Sequence, residues 1–370
     1  MNRILTTHCG SLPRPADLLD LMKLHADYTE RARTAVSEIV KKQIDCGIDI
    51  LTDGEQSKLG FFMYVRERLA GFEDRPGQRP SSFTAEVEAF PEYYEQYFSH
   101  AMLGGALAPP VPFVCIGPVG YRGESALQRD IANLKAAIEG QNCTDVFMSS
   151  VAPSGVGSNS YYKSDEEYLY AVADAMSTEY RAIVAEGFMV QIDDPFLTEL
   201  FSYSLLNSAE RRRKGEVSVE ALNHALRGIP LARVRYHTCY GINEGPRVHD
   251  APMKDVVDLM LKVNAGSYSF EAANARHEHE YHLWETVKLP DGKKIIPGVI
   301  THASNIVEHP DLIAERIVRF ARLVGRDNVI AGADCGFSSQ ATYSTEVHPT
   351  VIWAKFRAMA EGARIASNEL

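Results

Sequence analysis

The chain alternates between short apolar stretches and amphipathic helical patterns over most of its length, and this alternation constrains the fold more than any other feature. Such a pattern is typical of parallel strands that are each followed by a helix. The predicted strands are residues 4–11, 48–55, 145–153, 188–195, 233–241, 266–271, 295–302 and 328–335. The predicted helices that punctuate them are 29–46, 125–139, 165–186, 217–227, 253–264, 276–286, 311–324 and 351–366. Eight strands with eight helices predict a (β/α)8 TIM barrel, an α/β fold.

Residues 71–121 interrupt this pattern with several prolines and a cluster of aromatic residues. The aromatic residues are Phe90, Tyr93, Tyr94, Tyr97 and Phe98. We interpret the segment as an insertion, either a hairpin and lid over the barrel mouth or an oligomer contact. Since α/β barrels often exceed 250 residues as one domain, residues 1–370 are predicted to form a single elaborated barrel.

The charge balance points to a small-molecule partner. Lys and Arg number 38 against 49 Asp and Glu, a net charge of −11, which disfavours binding to nucleic acid or to a membrane surface. No apolar run approaches the roughly 18 residues that cross a bilayer, and we expect a cytoplasmic protein. Six cysteines are spread without a paired framework, so free thiols and metal ligands are expected rather than disulfides.

Chemically reactive side chains fall at the carboxyl ends of the predicted strands, where barrel enzymes build their active sites. They are Ser11, Glu55, Asp193, His237, Cys239, Glu271, His302 and Cys335. Residues two apart on a strand project from one face, so His237 and Cys239 could bind one metal ion. The alternative for any one of these residues is ordinary: a packed His or Cys, or a carboxylate that caps the next helix.

Several ordered motifs resemble those of the catalytic barrel of cobalamin-independent methionine synthase. They are Thr-Thr-His-Cys-Gly-Ser-Leu-Pro at 6–13, Asp-Gly-Glu at 53–55, Gln-Ile-Asp-Asp-Pro at 191–195, His-Thr-Cys-Tyr at 237–240, Ser-Phe-Glu at 269–271, Thr-His at 301–302 and Asp-Cys-Gly at 334–336. The resemblance extends over nearly the whole chain. From residue 270 onward the chain also resembles epoxyalkane:coenzyme M transferase, a single-barrel relative, notably in Arg-His-Glu-His-Glu at 276–280.

The resemblance implies a zinc ion, Zn2+, held by His237, Cys239, Cys335 and Glu271. Zinc accepts imidazole, thiolate and carboxylate ligands in a tetrahedral arrangement, and a site this rich in negative charge suits a bound thiolate nucleophile better than hydroxide.

Four further residues receive roles from the same resemblance. It implies that Ser11, Glu55 and Asp193 hold the amino-acid part of homocysteine, the two carboxylates binding its ammonium group. It assigns to His302 the delivery of a proton to the leaving group, or alternatively a supporting contact to a metal ligand.

These motifs predict a zinc-dependent transferase that moves a methyl or other alkyl group onto a small thiol, of the methionine synthase type. Its partners would be the thiol and an alkyl donor, with a homo-oligomer possible. One alternative is opening of an epoxide or similar electrophile by a thiol such as coenzyme M. A second is a zinc-dependent binding protein without turnover, and a third, which the thiolate ligands disfavour, is a hydrolase with zinc-bound water.

The alkyl donor is predicted to differ from the folate polyglutamate of full-length methionine synthases. The competing explanation is a minimal methionine synthase that takes its methyl group from a protein-bound or corrinoid donor. The full-length enzymes have a Gly-Pro-Val-Thr turn and a tryptophan after the third strand, whereas residues 151–157 here read Val-Ala-Pro-Ser-Gly-Val-Gly. The tryptophans, Trp284 and Trp353, lie far along the chain, although Tyr161 or Tyr162 could replace the missing ring.

Two other polar groups are interpreted as surface features. His277, His279 and His282 are predicted to form a solvated or oligomer-facing cluster on a helix, since their spacing gives no single ligand face. The run Arg-Arg-Arg-Lys at 211–214 is predicted to be an exposed helix terminus, with contact to an anionic substrate as the alternative.

Overall fold

The computed structural model of the protein describes residues 3–76, 83–100, 106–107, 111–202, 206–241 and 244–370. Parts of the predicted insertion, among them Pro80, Pro109 and Pro110, lie outside these residues. Within the described ranges, the strands are β1 (Leu5–Thr6), β2 (Ile50–Leu51), β3 (Leu69–Asp74), β4 (Phe113–Tyr121), β5 (Asp145–Val151), β6 (Ser158–Asn159), β7 (Met189–Asp193), β8 (Val234–His237), β9 (Ser267–Phe270), β10 (Lys294–Ile300) and β11 (Ile330–Ala333).

Eight of these strands form the predicted parallel barrel. Their order is β1-β11-β10-β9-β8-β7-β5-β2. The backbone amide of Asp49, just before β2, donates to the carbonyl of Thr6 in β1 at 3.2 Å, so the two edge strands meet and the barrel nearly closes. The predicted TIM barrel is confirmed.

Helices surround the barrel and cover it. They are α1 (Ala16–Lys23), α2 (Thr29–Asp45), α3 (Val65–Arg68), α4 (Thr84–Ala89), α5 (Pro91–His100), α6 (Glu124–Ile138), α7 (Asp165–Ala185), α8 (Pro195–Ser202), α9 (Ser208–Ala225), α10 (Val257–Lys262), α11 (Pro310–Val324) and α12 (Pro349–Glu369). No helix of the described ranges is both long and apolar enough to cross a bilayer.

Three predicted helices differ from the observed structure. The predicted helix 253–264 is a 3-10 turn, Met253–Asp255, followed by the short helix α10. The predicted helix 217–227 begins earlier, at Ser208, because Asn207 and Glu210 form a capping box at its start. The predicted helix 276–286 is a 3-10 helix, Glu278–Glu285, and places its histidines differently. His279 and His282 are exposed as predicted. The prediction for His277 is wrong: it is 3% exposed, because Asp250 and Glu280 hold its two ring nitrogens at 3.0 and 2.8 Å.

The segment that interrupts the alternating pattern contains an antiparallel pair, β3 and β4, to which β6 adds a third strand. Tyr94 and Tyr97 of α5 are buried in a separate aromatic cluster together with Phe83, Phe90 and Phe98. Apolar side chains from β1, β2, β5, β7, β10 and β11 fill the barrel interior, namely Leu5, Ile50, Phe147, Met189, Ile296 and Ile330. This packed interior leaves the carboxyl ends of the strands as the place where a cavity can form.

Candidate functional site

Three predicted metal ligands come together at the carboxyl ends of two barrel strands. His237 ends β8, Cys239 follows two residues later, and Cys335 lies two residues beyond β11. One ligand atom from each lies within 4.8 Å of the other two. All three are at least 91% buried, with exposures of 3%, 5% and 9%. Two strands that are not neighbours in the sheet therefore deliver three soft donor atoms to one point.

The imidazole of His237 is held from one side and has a free nitrogen on the other. Its Nδ1 lies 3.2 Å from the hydroxyl of Ser269 in β9 and 3.7 Å from the sulfur of Cys9. Its Nε2 is buried and has no hydrogen-bond partner among the described residues. Since buried polar atoms are rarely left unpaired, this nitrogen and the two thiols fit a metal ion that accepts imidazole and thiolate.

The two cysteine side chains interact with each other. Their mutual hydrogen bond lowers the pKa of Cys239 and raises that of Cys335, and the nearby His237 adds to the lowering at Cys239. The pair therefore loses its first proton more readily than an isolated buried thiol would, and it retains the second proton on Cys335. A thiolate is the form of cysteine that binds metal ions.

Glu271, the fourth predicted ligand, is not among the residues whose ligand atoms lie within 4.8 Å of one another at this point. It groups instead with His302 and Asp334. One carboxylate oxygen accepts from the amide of Tyr240 at 3.0 Å, and the other lies 2.8 Å from a guanidinium nitrogen of Arg247. Asn274 also donates to that second oxygen, at 2.8 Å. Both oxygens are thus occupied, and metal ligation by Glu271 stays a prediction.

His302, the predicted proton donor, is 2% exposed and its Nδ1 has no hydrogen-bond partner among the described residues. Burial lowers the pKa of His302 to about 3, although the charge of Asp334 acts in the opposite direction. The imidazole is therefore neutral near pH 7 in this state. The imidazole of His302 would therefore have to take up a proton before it could protonate a leaving group.

The residues that are predicted to hold the amino-acid part of homocysteine form a second group, which contains two buried carboxylates. Asp193 ends β7, and Gln191 donates to its Oδ1 at 2.8 Å. Glu55 is 1% exposed, and its Oε2 has no partner among the described residues. Burial raises the pKa of Asp193 to about 7, and the charge of Glu55 contributes to that increase. Two such carboxylates favour a bound cation, which would stabilise both charges.

Backbone geometry fixes the position of Glu55. Gly54 and Glu55 both have positive φ angles, 65° and 55°, so the chain turns sharply after β2. Asp53 supports the turn, because its Oδ1 accepts from the amide of Glu55 at 2.9 Å. A non-glycine residue at positive φ is strained, and such strain is concentrated at functional sites.

Ser11 sits beside the loop that carries Cys335. The carbonyl of Ser11 accepts from the amide of Phe337 at 3.0 Å. A Cβ on Gly336 would lie 2.0 Å from the Ser11 hydroxyl, so only glycine allows this approach. The loop after β1 is thereby tied to the loop after β11.

A single cavity of about 400 Å3 is lined by both groups. Its polar lining includes Ser11, Glu55, Asp193, His237, Cys239 and Cys335. Its aromatic lining comprises Phe61, Phe62, Phe83, Phe113, Phe196, Phe337 and Tyr240. Phe83 and Phe113 come from the predicted insertion, which supports a lid over the mouth, a role that stays a prediction. Neither tryptophan lines this cavity, and neither do Tyr161 and Tyr162.

Sequence reasoning missed three contributors to the site. Arg247, which pairs with Glu271, lies in a loop and carries no motif that would have marked it. Cys9 lies within the motif at residues 6–13, which assigns it no role, although its sulfur lies close to His237. The phenylalanines of the cavity were not identified, since an isolated Phe pattern is typical of an ordinary core.

Comparison with known proteins agrees with the motifs. The profile of the catalytic domain of cobalamin-independent synthase matches residues 135–355, more than half of the chain. Methionine synthase of Sulfolobus acidocaldarius is 23% identical over 340 residues, covering 90% of this chain and 85% of its own. Methionine synthase of Saccharolobus solfataricus is 22% identical over 376 residues, covering 99% and 95%.

A solved structure shares the fold. The B12-independent methionine synthase from Shewanella sp. W3-18-1, solved in complex with selenomethionine, has a TM-score of 0.73 with 19% sequence identity. The match covers 99% of this chain and 98% of that chain. The same barrel therefore accounts for nearly every residue of both proteins.

Proposed function

We propose that this chain, which belongs to the family of cobalamin-independent synthase catalytic domains, transfers a methyl group to the sulfur of homocysteine and so forms methionine. One observation carries the proposal. A thiolate-rich metal-ligand group and a pair of buried carboxylates line the same cavity. The chain is also similar over most of its length to two methionine synthases.

His237, Cys239 and Cys335 would hold a zinc ion in this proposal. When bound, zinc would supply a Lewis acid that lowers the pKa of an incoming thiol, whose free value is about 8.5. Ser269 keeps the imidazole of His237 in one orientation through the contact to Nδ1. This type of support is common for metal-bound histidine. Glu271 stays the predicted fourth ligand, and Arg247, which pairs with its carboxylate, would compete with the metal ion for it.

Glu55 and Asp193 would bind the ammonium group of homocysteine. Gln191 donates to one oxygen of Asp193, and one oxygen of Glu55 has no hydrogen-bond partner within the described ranges, so each carboxylate can accept a further hydrogen bond. An ammonium ion between them would relieve the repulsion of two buried carboxylates. Thiols that lack this group, or that carry a sulfonate as coenzyme M does, gain nothing from these residues.

The test compares homocysteine with 4-mercaptobutanoate, which is homocysteine without its amino group. In the zinc-loaded protein with a competent methyl donor, we expect Asp193→Asn to lower kcat/KM for homocysteine by roughly 10- to 100-fold. This corresponds to the roughly 1.5–3 kcal/mol of a hydrogen bond to a charged group. The value for 4-mercaptobutanoate should change little, because that thiol never makes the contact.

The matched control is Asp255→Asn, which alters an exposed aspartate outside the cavity. This variant should retain the activity of the unaltered protein with both thiols. Equal losses with both thiols in Asp193→Asn would contradict the ammonium contact. A preference of the unaltered protein for coenzyme M over homocysteine would instead favour the epoxide-opening alternative.

A further inference from the structure

Three phenylalanine rings line one side of the cavity. We call this set the phenylalanine wall, and its members are Phe61, Phe62 and Phe196. Phe61 meets Phe62 edge to face with 5.0 Å between ring centroids, and it stacks on Phe196 at 6.3 Å. A Cβ on Gly155 would lie 2.0 Å from the Phe196 ring, so the ring is seated directly against the backbone that follows β5. The backbone amide of Phe61 donates a hydrogen bond of 3.0 Å to the backbone carbonyl of Ser339.

A carboxylate accompanies the wall. Glu199 lines the same cavity and lies three residues after Phe196 on α8, so the two side chains share one helix face. Within the part of the chain that the structure describes, the half-buried carboxylate of Glu199 has no hydrogen bond and no ion pair. Burial raises its pKa, which records the unfavourable surroundings of an unpaired charge.

The other charged side chains of this part of the cavity already have partners. Arg66 forms an ion pair with Asp74, donates to the carbonyl of Val111 and lies 4.8 Å from the Phe113 ring. Glu346 accepts a hydrogen bond of 2.6 Å from Tyr97. Glu199 is therefore the charge in this region that a ligand is best placed to neutralise.

Aromatic faces and a carboxylate together are the chemistry that recognises a methylated cation. We propose that the phenylalanine wall and Glu199 bind an onium methyl donor, a small sulfonium or quaternary ammonium compound. This inference rests on the proposed function and names the class of its second substrate. The charge of Glu199 would complement such a donor and would repel a polyanionic folate polyglutamate.

The transfer balances without a further reactant. The electron pair of the acceptor thiolate forms a new sulfur–carbon bond to the methyl group. The bond between that methyl group and the donor sulfonium or ammonium centre breaks, and its electron pair remains on the donor atom. A neutral sulfide or tertiary amine results, which needs no proton to leave. A sulfide product stays uncharged, so it loses its attraction to Glu199 and to the ring faces, and release follows from transfer. A tertiary amine takes up a proton from water near neutral pH and keeps part of that attraction.

Binding is tested first, on the full-length zinc-loaded protein by isothermal titration calorimetry. The probes are trimethylsulfonium, choline and 3,3-dimethylbutan-1-ol, the last being the neutral isostere of choline. We expect at least one cation to bind about tenfold or more tightly than the neutral alcohol, as an onium group over aromatic faces predicts. Trimethylsulfonium and choline separate the sulfonium and ammonium classes.

Variants then locate the binding site. Glu199→Gln and Phe196→Leu should each weaken binding of the preferred cation by about fivefold to tenfold. Glu199→Gln should leave binding of the neutral alcohol unchanged. Glu220→Gln, an exposed glutamate of α9 outside the cavity, is the matched control and should bind the cation as the unaltered protein does. Equal affinity for cation and isostere, or unaltered binding in Glu199→Gln, would overturn the proposal.

Turnover distinguishes this inference from the function on which it rests. With homocysteine and the preferred cation, methionine and the demethylated sulfide or amine should form in equal amounts. Cation binding without transfer, in protein that methylates homocysteine from another donor, would overturn the donor assignment and leave the proposed function intact. If no donor methylates homocysteine, the proposed function fails, while the calorimetry still decides whether the site binds a cation.

Discussion

At the scale of single residues, the candidate metal centre depends on three side chains that have few other contacts. Nε2 of His237 has no hydrogen-bond partner in the described part of the chain, and Cys239 and Cys335 interact chiefly with each other and with that histidine. The barrel core is formed by different residues, mainly aliphatic and aromatic. Loss of a ligand should therefore affect metal retention more than folding.

We predict that the purified protein carries about one zinc per chain, a typical content for a site with three or four ligands from one protein. Cys239→Ser or Cys335→Ser should reduce the bound zinc by at least about tenfold, since the loss of a soft ligand strongly weakens the site. Metal analysis by mass spectrometry, with circular dichroism to verify folding, measures this.

The control for these variants is Cys143→Ser, because Cys143 is partly exposed and lies outside the cavity. It should keep full zinc content. Full occupancy in Cys335→Ser would exclude that residue as a required ligand, whatever the result for Cys239.

At the scale of elements, a buried ion-pair network ties the helices to the barrel. Arg68 of α3 forms ion pairs with Glu179 of α7, at 2.9 Å, and with Asp130 of α6. Glu179 is fully buried and also accepts from Tyr64 at 2.7 Å and from Ser150 at 2.6 Å. Helices α3 and α7 and strand β5 therefore meet at the Glu179 carboxylate, and α6 joins them through Arg68.

We predict that Glu179→Gln lowers the free energy of unfolding by roughly 3 kcal/mol near neutral pH, because it removes one of the two carboxylates that pair with the buried Arg68. Urea denaturation measures the loss. Replacing all three charged side chains, as Arg68→Met with Glu179→Leu and Asp130→Leu, should recover much of it, since no charge of this network is then left buried and unpaired. A triple variant as unstable as Glu179→Gln would contradict this account.

The contribution of Glu179 to the free energy of unfolding depends on pH in a defined direction. Burial alone would raise the pKa of Glu179, but the charges of Arg68 and Lys58 together with the hydrogen bonds from Ser150 and Tyr64 outweigh burial, and the pKa falls to about 2. The contribution of Glu179 to stability is therefore complete above its unfolded pKa of about 4.3. It is lost as the pH falls toward about 2. The difference in unfolding free energy between the unaltered protein and Glu179→Gln should shrink over that interval.

At the scale of the whole molecule, one cavity must accommodate both substrates. Loops after β1, β2, β7, β8 and β11 supply its polar end, and α8 with the segment around β3 and β4 supplies aromatic side chains. The tryptophans contribute elsewhere: Trp284 packs on Phe270 and Trp353 on Phe356. The cavity thus combines acidic groups with phenylalanine rings.

We predict that the protein does not use methyltetrahydrofolate triglutamate. The acidic side chains of the cavity, Glu55, Asp193, Glu199 and Glu346, would repel its carboxylates. Incubation of zinc-loaded protein with homocysteine and this folate should form no methionine above background. Turnover near about 1 s⁻¹, ordinary for an enzyme on its own substrate, would contradict the prediction.

The sequence by itself determined the architecture and the identity of most candidate residues. Strand and helix patterns are local, and a parallel strand followed by a helix has few ways to pack, so eight repeats specify a barrel. The same rule placed His237, Cys239, Cys335, Glu55 and Asp193 at one rim, and all five line the observed cavity.

Only the tertiary structure decided which of these side chains meet. Glu271 pairs with Arg247, and His277 is buried between Asp250 and Glu280, because loops distant in the chain supply those partners. Glu199 and the phenylalanine wall join the cavity through contacts between α8 and the residues before α3. Side-chain direction beyond a strand end depends on backbone turns and long-range packing, and no local pattern encodes either.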